Sequence, residues 1–306
     1  MKFIKQGLIY SPNQSKSWNK KYCLMPTPHW IEERKVIRIY FCCTDEKNNG
    51  SISFIEVDEN NPKLIIYEHQ EPVLGVGLPG HFDDCGVSPS SIIIEDSTWY
   101  LFYVGFQRTE KVPYMLFTGL ATSNNGIDFE RSAPTPIIDR TEKAPISSAA
   151  PFVMKEGSTY SMWHWHGLEW TKIEGKDYIK ASIALSKSND LKNWNLKKND
   201  CIVPIDSEDE FSVGRPWVLK INTTYHMWYS IRFKKKLYRL GYSQSIDGVN
   251  WIRKDKELKT DVSQSGWDSE MMCYPSVVKI KDKFLLFYNG NNNGASGFGF
   301  AYLEEL

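Results

Sequence analysis

The residues best equipped for chemistry in this sequence fall into three acidic runs and two arginines. The runs are Phe82-Asp83-Asp84-Cys85-Gly86, Glu208-Asp209-Glu210-Phe211 and Trp267-Asp268-Ser269-Glu270, and each lies a few residues ahead of a proline: Pro89, Pro216 or Pro275. Two carboxyls brought together can serve as acid and base at a glycosidic centre. Arg215 and Arg232 can hold a phosphate or carboxylate through the planar guanidinium fork. A lone Asp or Glu is ordinarily a turn residue or a surface ion-pair partner. The acids gain weight here because Asp83/Asp84 and Asp268/Glu270 occupy matching places ahead of two of those prolines. For Arg215, directly before Pro216, two readings stand open: a salt bridge between repeats, or an anion clamp.

The elements that must position these residues repeat along the chain. Pro28, Pro89, Pro151, Pro216 and Pro275 fall at near-even intervals. Each precedes a short apolar run, a polar turn and a strand rich in aromatics, such as Tyr100-Leu101-Phe102-Tyr103, Tyr225-His226-Met227-Trp228-Tyr229 or Phe284-Leu285-Leu286-Phe287-Tyr288. The interval leaves room for four antiparallel strands per copy. In the middle copies a strand ends in Ser, passes through Asn124-Asn125-Gly126, Asn189-Asp190 or Asp247-Gly248, and resumes at Phe129, Trp194 or Trp251. These read as hairpins between strands three and four rather than calcium loops, because no full ligand spacing follows. The last copy stops after a third strand, while Phe3–Ile9 resembles the missing fourth. Pairing the two ends closes a ring and removes an exposed edge. The reading is all-β: residues 1–306 as one five-bladed β-propeller with four-stranded antiparallel blades, the N-terminal strand completing the last. Two β-sandwich domains would explain neither the five copies nor the displaced strand.

In such a blade the start of strand one and the end of strand two share an edge. That edge collects the acids Asp83, Asp84, Glu210, Asp268 and Glu270 as candidates for catalysis. It also collects Arg215, Arg232, His164, His166, Trp170, Trp267, Tyr274, Asn289, Asn291, Gln107 and Arg108 as candidates for binding. The mixture suits a carbohydrate, with aromatic faces against sugar C–H surfaces and carboxylates or amides on hydroxyls. His164 and His166 alternate with Trp163 and Trp165, so only one pair faces the site.

Composition narrows the partners. Lys and Arg number 37 against 37 Asp and Glu, and this zero net charge argues against nucleic acid or an anionic membrane as partner. The N-terminus has no signal-like apolar stretch and no run spans a bilayer, so a cytoplasmic protein without membrane insertion is expected. The six cysteines show no disulfide framework and no CxxC pair, and are expected to be reduced thiols. No metal or other cofactor is demanded by any ligand spacing, and no oligomer signal can be read.

These units resemble the five-bladed propeller glycosidases related to glycoside hydrolase families 43, 32, 68 and 130. The residues that carry the resemblance are the Pro-Ser-x-Ile openings, the aromatic second strands and Ser243-Gln244-Ser245-Ile246-Asp247-Gly248-Val249-Asn250-Trp251. His81–Pro89, Met227–Arg232, Gly266–Met271 and Tyr288–Asn291 are similar to an uncharacterised branch linked to bacterial surface-polysaccharide synthesis. The resemblance implies a carbohydrate-active enzyme that cleaves or transfers a glycosyl or substituted-sugar unit at an axial pocket. The acidic triad of families 43 and 32 is missing, since Thr27, Ser88 and Ala149 stand at its positions. Chemistry would then rest on Asp84 and Glu270 as the carboxylate pair, with Arg215 and Arg232 anchoring an acidic sugar, sugar phosphate or nucleotide sugar. The alternative is a non-catalytic propeller that binds a glycan or nucleotide sugar.

Overall fold

The computed structural model describes residues 1–305, and nearly all regular structure in it is strand. β1 (Lys2–Tyr10) is followed by a series of antiparallel meanders. The first contains β2 (Lys21–Ile31), β3 (Val36–Thr44), β4 (Gly50–Asp58) and β5 (Ile65–Glu68). The next contains β6 (Gly86–Glu95), β7 (Thr98–Arg108), β8 (Tyr114–Ser123) and β9 (Glu130–Arg131). Then come β10 (Ser147–Glu156), β11 (Thr159–Ile173), β12 (Lys176–Ser188) and β13 (Asn195–Ile202), and β14 (Glu210–Ile221), β15 (Thr224–Phe233), β16 (Arg239–Ser245) and β17 (Ile252–Arg253). Finally β18 (Cys273–Ile280), β19 (Lys283–Asn289) and β20 (Phe298–Glu305) pair in order. β1 adds antiparallel to the outer edge of β20, with Ile4 opposite Tyr302 and Leu8 opposite Gly299. Repeated four-stranded units in a nearly all-β chain are the architecture of a β-propeller.

Local chemistry explains the turns. Asp190 Oδ1 accepts the N–H groups of Lys192 and Asn193, and Asp247 Oδ1 those of Val249 and Asn250. Those backbone bonds hold both carboxyls below the usual carboxylate range. The lone pairs a calcium ion would need are already engaged by the turn. Between neighbouring meanders the core is aromatic. Trp163, Tyr225, Met227 and Trp228 pack in one cluster, and Trp163 donates Nε1–H to the Gly248 carbonyl at 2.9 Å.

The opening strands β2, β6, β10, β14 and β18 contact one another and form the inner layer. Each is broken by a bulge, where the register skips from Leu24 to Thr27, Pro89 to Ser91, Ala149 to Phe152, Gly214 to Trp217 and Cys273 to Ser276. Four of these bulges hold a left-handed residue directly before a proline: Met25, Ala150, Arg215 and Tyr274, with φ of 56, 49, 53 and 54°. A non-glycine residue in that conformation costs about 1–3 kcal/mol, and a following proline disfavours it further. The bulges correct the repeat register at its first copy. Pro26, inside the bulge, matches Pro151, Pro216 and Pro275, whereas Pro28 lies beyond it opposite Ile39. The residue ahead of the first repeat proline is therefore Met25 rather than Thr27, and it is still not acidic.

Candidate functional site

Three of the five acids are held in one repeated brace. The Asp83 carboxylate, fully buried, accepts from Tyr103 Oη at 3.0 Å and pairs with Arg131 at 2.7 Å. Asp268, also buried, accepts from Tyr288 Oη at 2.9 Å and pairs with Lys5 at 2.8 Å. Glu210 takes both arms of Arg253, at 2.8 and 2.9 Å, while Tyr229 Oη donates to Asp255, itself paired with Arg253. At Asp83 and Asp268 an acid ahead of an inner strand takes both a second-strand tyrosine and a fourth-strand cation, whereas in the third case Arg253 bridges Glu210, the first residue of β14, to the Asp255 that takes the tyrosine. Lys5 lies on β1, so the N-terminal strand supplies what β9 and β17 supply elsewhere. Burial pushes the three phenols above their ordinary range, beside Asp83, Asp255 and Asp268 respectively. Gly119 and Gly241 give two of these tyrosines their room, since a Cβ there would stand 2.2 Å from the Tyr103 or Tyr229 ring.

Asp84 and Glu270 differ from the braced acids. Asp84 accepts the Gly80 N–H at 2.9 Å through Oδ2, and its Oδ1 is buried without a partner. Glu270 is exposed; its backbone N–H is held by Asn291 Oδ1 and its carbonyl by Arg239, leaving the carboxylate unengaged. Among the described residues neither acid has an ion-pair partner, and no cluster of three or more His, Cys, Asp or Glu is arranged to hold a metal.

The two arginines also part company. Arg215, 2 % exposed, reaches from β14 to two other inner strands, donating to the Ser90 carbonyl at 2.6 Å and to Thr27 Oγ1 at 3.0 Å. No carboxylate faces it among the described residues, its Nε–H has no partner, and burial pushes its pKa down to about 9. The open choice for this residue resolves into neither salt bridge nor free clamp: it is a charged strut bonded to neutral acceptors. Arg232 stands among aromatic rings, with its Cζ 4.6 Å from the Tyr178 centroid, 4.9 Å from Tyr238 and 5.2 Å from Phe211. It is half-buried and pairs with no carboxylate among the described residues.

The remaining expected residues are distributed unevenly. His164 and His166 are buried on the side of β11 opposite Trp163 and Trp165, bonded to Ser186 Oγ and the Lys143 carbonyl. Burial, with His166 beside it, pushes His164 down to about 3. Trp165 packs against the inner cluster with Met25, Ala149 and Tyr274. Trp267 stacks on Tyr288 at 5.1 Å, and Asn291 secures the loop that carries Glu270. Asn289 is buried and bonds the Met25 N–H and the Cys23 and Gly297 carbonyls, so it ties β19 to β2. Gln107 donates to the His81 carbonyl, and Arg108 reaches Asn49 and the Lys47 carbonyl. Trp170 lies edge-on to Tyr114 at 5.5 Å, and Tyr274 is 5.8 Å from Tyr238. Tyr114, Tyr178, Phe211 and Tyr238 escaped the sequence reading. The signal available was the length of β11 and β12, 15 and 13 residues, which carries Trp170 and Tyr178 beyond the repeat's usual extent. Two open clefts of about 320 and 420 Å³ lie elsewhere, one beside Asn124 and Asp128, the other beside Lys20 and Tyr22.

No family model matches the chain. It is 35% identical over 305 residues to the uncharacterized protein Rv1502 of Mycobacterium tuberculosis (strain ATCC 25618 / H37Rv), covering 100% of both chains. It is 24% identical over 245 residues to a beta-1,2-mannobiose phosphorylase of Thermoanaerobacter sp. (strain X514), covering 76% of this chain and 75% of that one. Among solved structures it is similar to a complex of BT0996 with RGII, with a TM-score of 0.75, 19% identity and coverage of 99% and 92%. A GH130 structure, from work on mannoside phosphorylases and hydrolases of beta-1,2 mannosidic linkages in Candida mannan, gives 0.72 at 15% identity, covering 98% and 93%. A thermostable family-43 glycoside hydrolase gives 0.69 at 16% identity, covering 96% and 91%. The fold is that of carbohydrate-active propeller enzymes.

Proposed function

Because the chain belongs to the family of the mycobacterial protein Rv1502 and has the fold of family 43 and family 130 propeller glycosidases, we propose that it acts on a carbohydrate bearing a negative charge. In this reading it is one five-bladed domain closed by β1, and it cleaves or transfers a glycosyl or substituted-sugar unit. Asp84 and Glu270 are the carboxylate pair, and Arg215 and Arg232 set the positive field that selects the ligand.

One observation carries this reading. Among the described residues Arg232 stands half-buried among aromatic rings with no carboxylate partner, while Asp83, Glu210 and Asp268 are already paired with Arg131, Arg253 and Lys5. A half-buried guanidinium with no carboxylate partner, as at Arg232, is poised for an external anion. Asp84 and Glu270 are the two acids left without a cation, which fits groups that must exchange protons with a ligand.

The test is a turnover screen of wild type, Asp84→Asn and Glu270→Gln against oligosaccharides, glycosyl phosphates and nucleotide sugars. Turnover by wild type that falls at least about a hundredfold in each variant supports the reading, general acid–base catalysis being worth about 10²–10⁴. Turnover unchanged in both variants refutes the pair. A second reading, binding without catalysis, is favoured by Met25, Ser88 and Ala149, which leave no acid at the family positions. It predicts ligand retention without turnover, undiminished in both variants.

A further inference from the structure

We infer that Arg232 alone receives the ligand's anionic group, and that this group is a singly charged carboxylate of an acidic sugar. The inference rests on the carbohydrate-active reading above and narrows its substrate class.

The two guanidinium groups have unequal capacity to bind. Arg215 donates to Ser90 and Thr27 and is sealed from solvent, so a ligand could reach it only by displacing those bonds. It fixes the inner strands and is a positioning residue. Arg232 is held differently. Tyr178, Tyr238 and Phe211 pack about the guanidinium, and the Tyr114 phenol takes a side-chain hydrogen bond from it. Cation–π contacts of this kind restrain the plane without using its N–H groups as donors to an acceptor. The N–H groups not engaged by Tyr114 are therefore held in one plane on a half-buried residue, a preorganised fork for two coplanar oxygens. Preorganisation lowers the entropy cost of forming that bond.

Charge decides between the anions. Among the described residues no second cation lies over the three rings that hold Arg232, and the neighbouring Arg239, which donates to the Tyr238 carbonyl, is already paired with Asp261. A carboxylate brings one negative charge and is neutralised by one guanidinium. A phosphate monoester brings about 1.5–2 negative charges, and the surplus would lie among phenols and a phenyl ring, where an unpaired charge is costly. The neighbouring surface completes the match. β11 and β12 extend Trp170 and Tyr178 over the same region, and Trp170 meets Tyr114 edge-on. Aromatic faces beside a bidentate carboxylate receptor suit a sugar ring that carries its carboxyl on one edge.

The test is a glycan array carrying neutral, uronic acid-bearing and phosphorylated oligosaccharides, probed with full-length wild type, Arg232→Gln and Arg232→Lys. Hits are followed by titration of glucuronic acid, glucose and glucose 6-phosphate, observed by ligand NMR. Wild type is expected to prefer uronic acid-bearing glycans over their neutral counterparts by at least about tenfold. Arg232→Gln should abolish that preference while neutral glycans are still retained. Arg232→Lys, which keeps the charge and loses the fork, should retain only part of it. A preference for phosphorylated or neutral glycans in wild type overturns the inference and leaves the broader reading standing. So does an acid preference that survives in Arg232→Gln. Retention of no glycan class by wild type overturns both.

Discussion

The brace at Asp268 makes a sharp prediction, because an acid ahead of an inner strand can be mistaken for a catalytic group. Asp268 is 2 % exposed and bonded to Tyr288 and Lys5, the latter on a strand at the other end of the sequence. Asp268→Asn removes the charge that pairs with Lys5 while keeping an acceptor for the phenol. Breaking a buried pair from one side costs about 3–5 kcal/mol, and because the Lys5 side chain is 23% exposed and can turn to water we expect about 2–3 kcal/mol. At about 2–4 °C per kcal/mol that lowers the thermal midpoint by about 5–10 °C. Lys5→Met strands the more deeply buried partner and should cost about as much or more. The double variant should recover about 1.5–3 kcal/mol of the summed loss, the coupling energy of groups in direct contact. Circular dichroism melts and urea titrations of the four proteins complete the cycle. Glu270→Gln, at an exposed carboxylate, should shift stability by no more than about 0.5 kcal/mol. If Asp268→Asn melts with wild type and yet eliminates turnover or ligand retention, the brace argument is refuted and Asp268 belongs to the reacting groups.

Two further outcomes follow from burial and from close packing. His164 is held neutral when folded, with its pKa lowered to about 3, so its contribution to stability is complete above about pH 6.5 and is lost as pH falls below that value. Urea unfolding between pH 7.5 and 5 should therefore steepen for wild type relative to His164→Gln, by up to about 1.4 kcal/mol per pH unit, and equal slopes would count against a buried neutral imidazole. Gly119→Ala places a methyl 2.2 Å from the Tyr103 ring, and the displaced tyrosine should cost about 1–3 kcal/mol by urea denaturation. A variant as stable as wild type would show that Tyr103 is not confined there.

Much of the fold was legible because its signals are local. Proline, the apolar run and the aromatic strand recur in each copy, and Ser-x-Asp turns build themselves from their own side chains, as Ser245 and Asp247 do. Even the role of Phe3–Ile9 could be read from its resemblance to the other fourth strands, and β1 does pair with β20. The first repeat proline was misplaced because Met25-Pro26-Thr27-Pro28 offers two candidates, and only pairing against β3 distinguishes them.

The acids show where sequence reasoning ended. Asp83, Glu210 and Asp268 look the same in sequence as Asp84 and Glu270, since type and position relative to a proline are all that a linear string displays. Whether a carboxylate is free depends on a cation from another strand: Arg131 for Asp83, Arg253 for Glu210, and Lys5 for Asp268 from the far end of the chain. The arginines divide for the same reason. Residue type made Arg215 and Arg232 equal candidates, and the contacts of distant strands made one a sealed strut and the other a half-buried fork. Composition, repeats and turn chemistry determined the all-β architecture and the place of each acid relative to its repeat proline. Which of those groups face a partner and which remain unspent was decided by tertiary structure, because electrostatic pairing is set by separation in space.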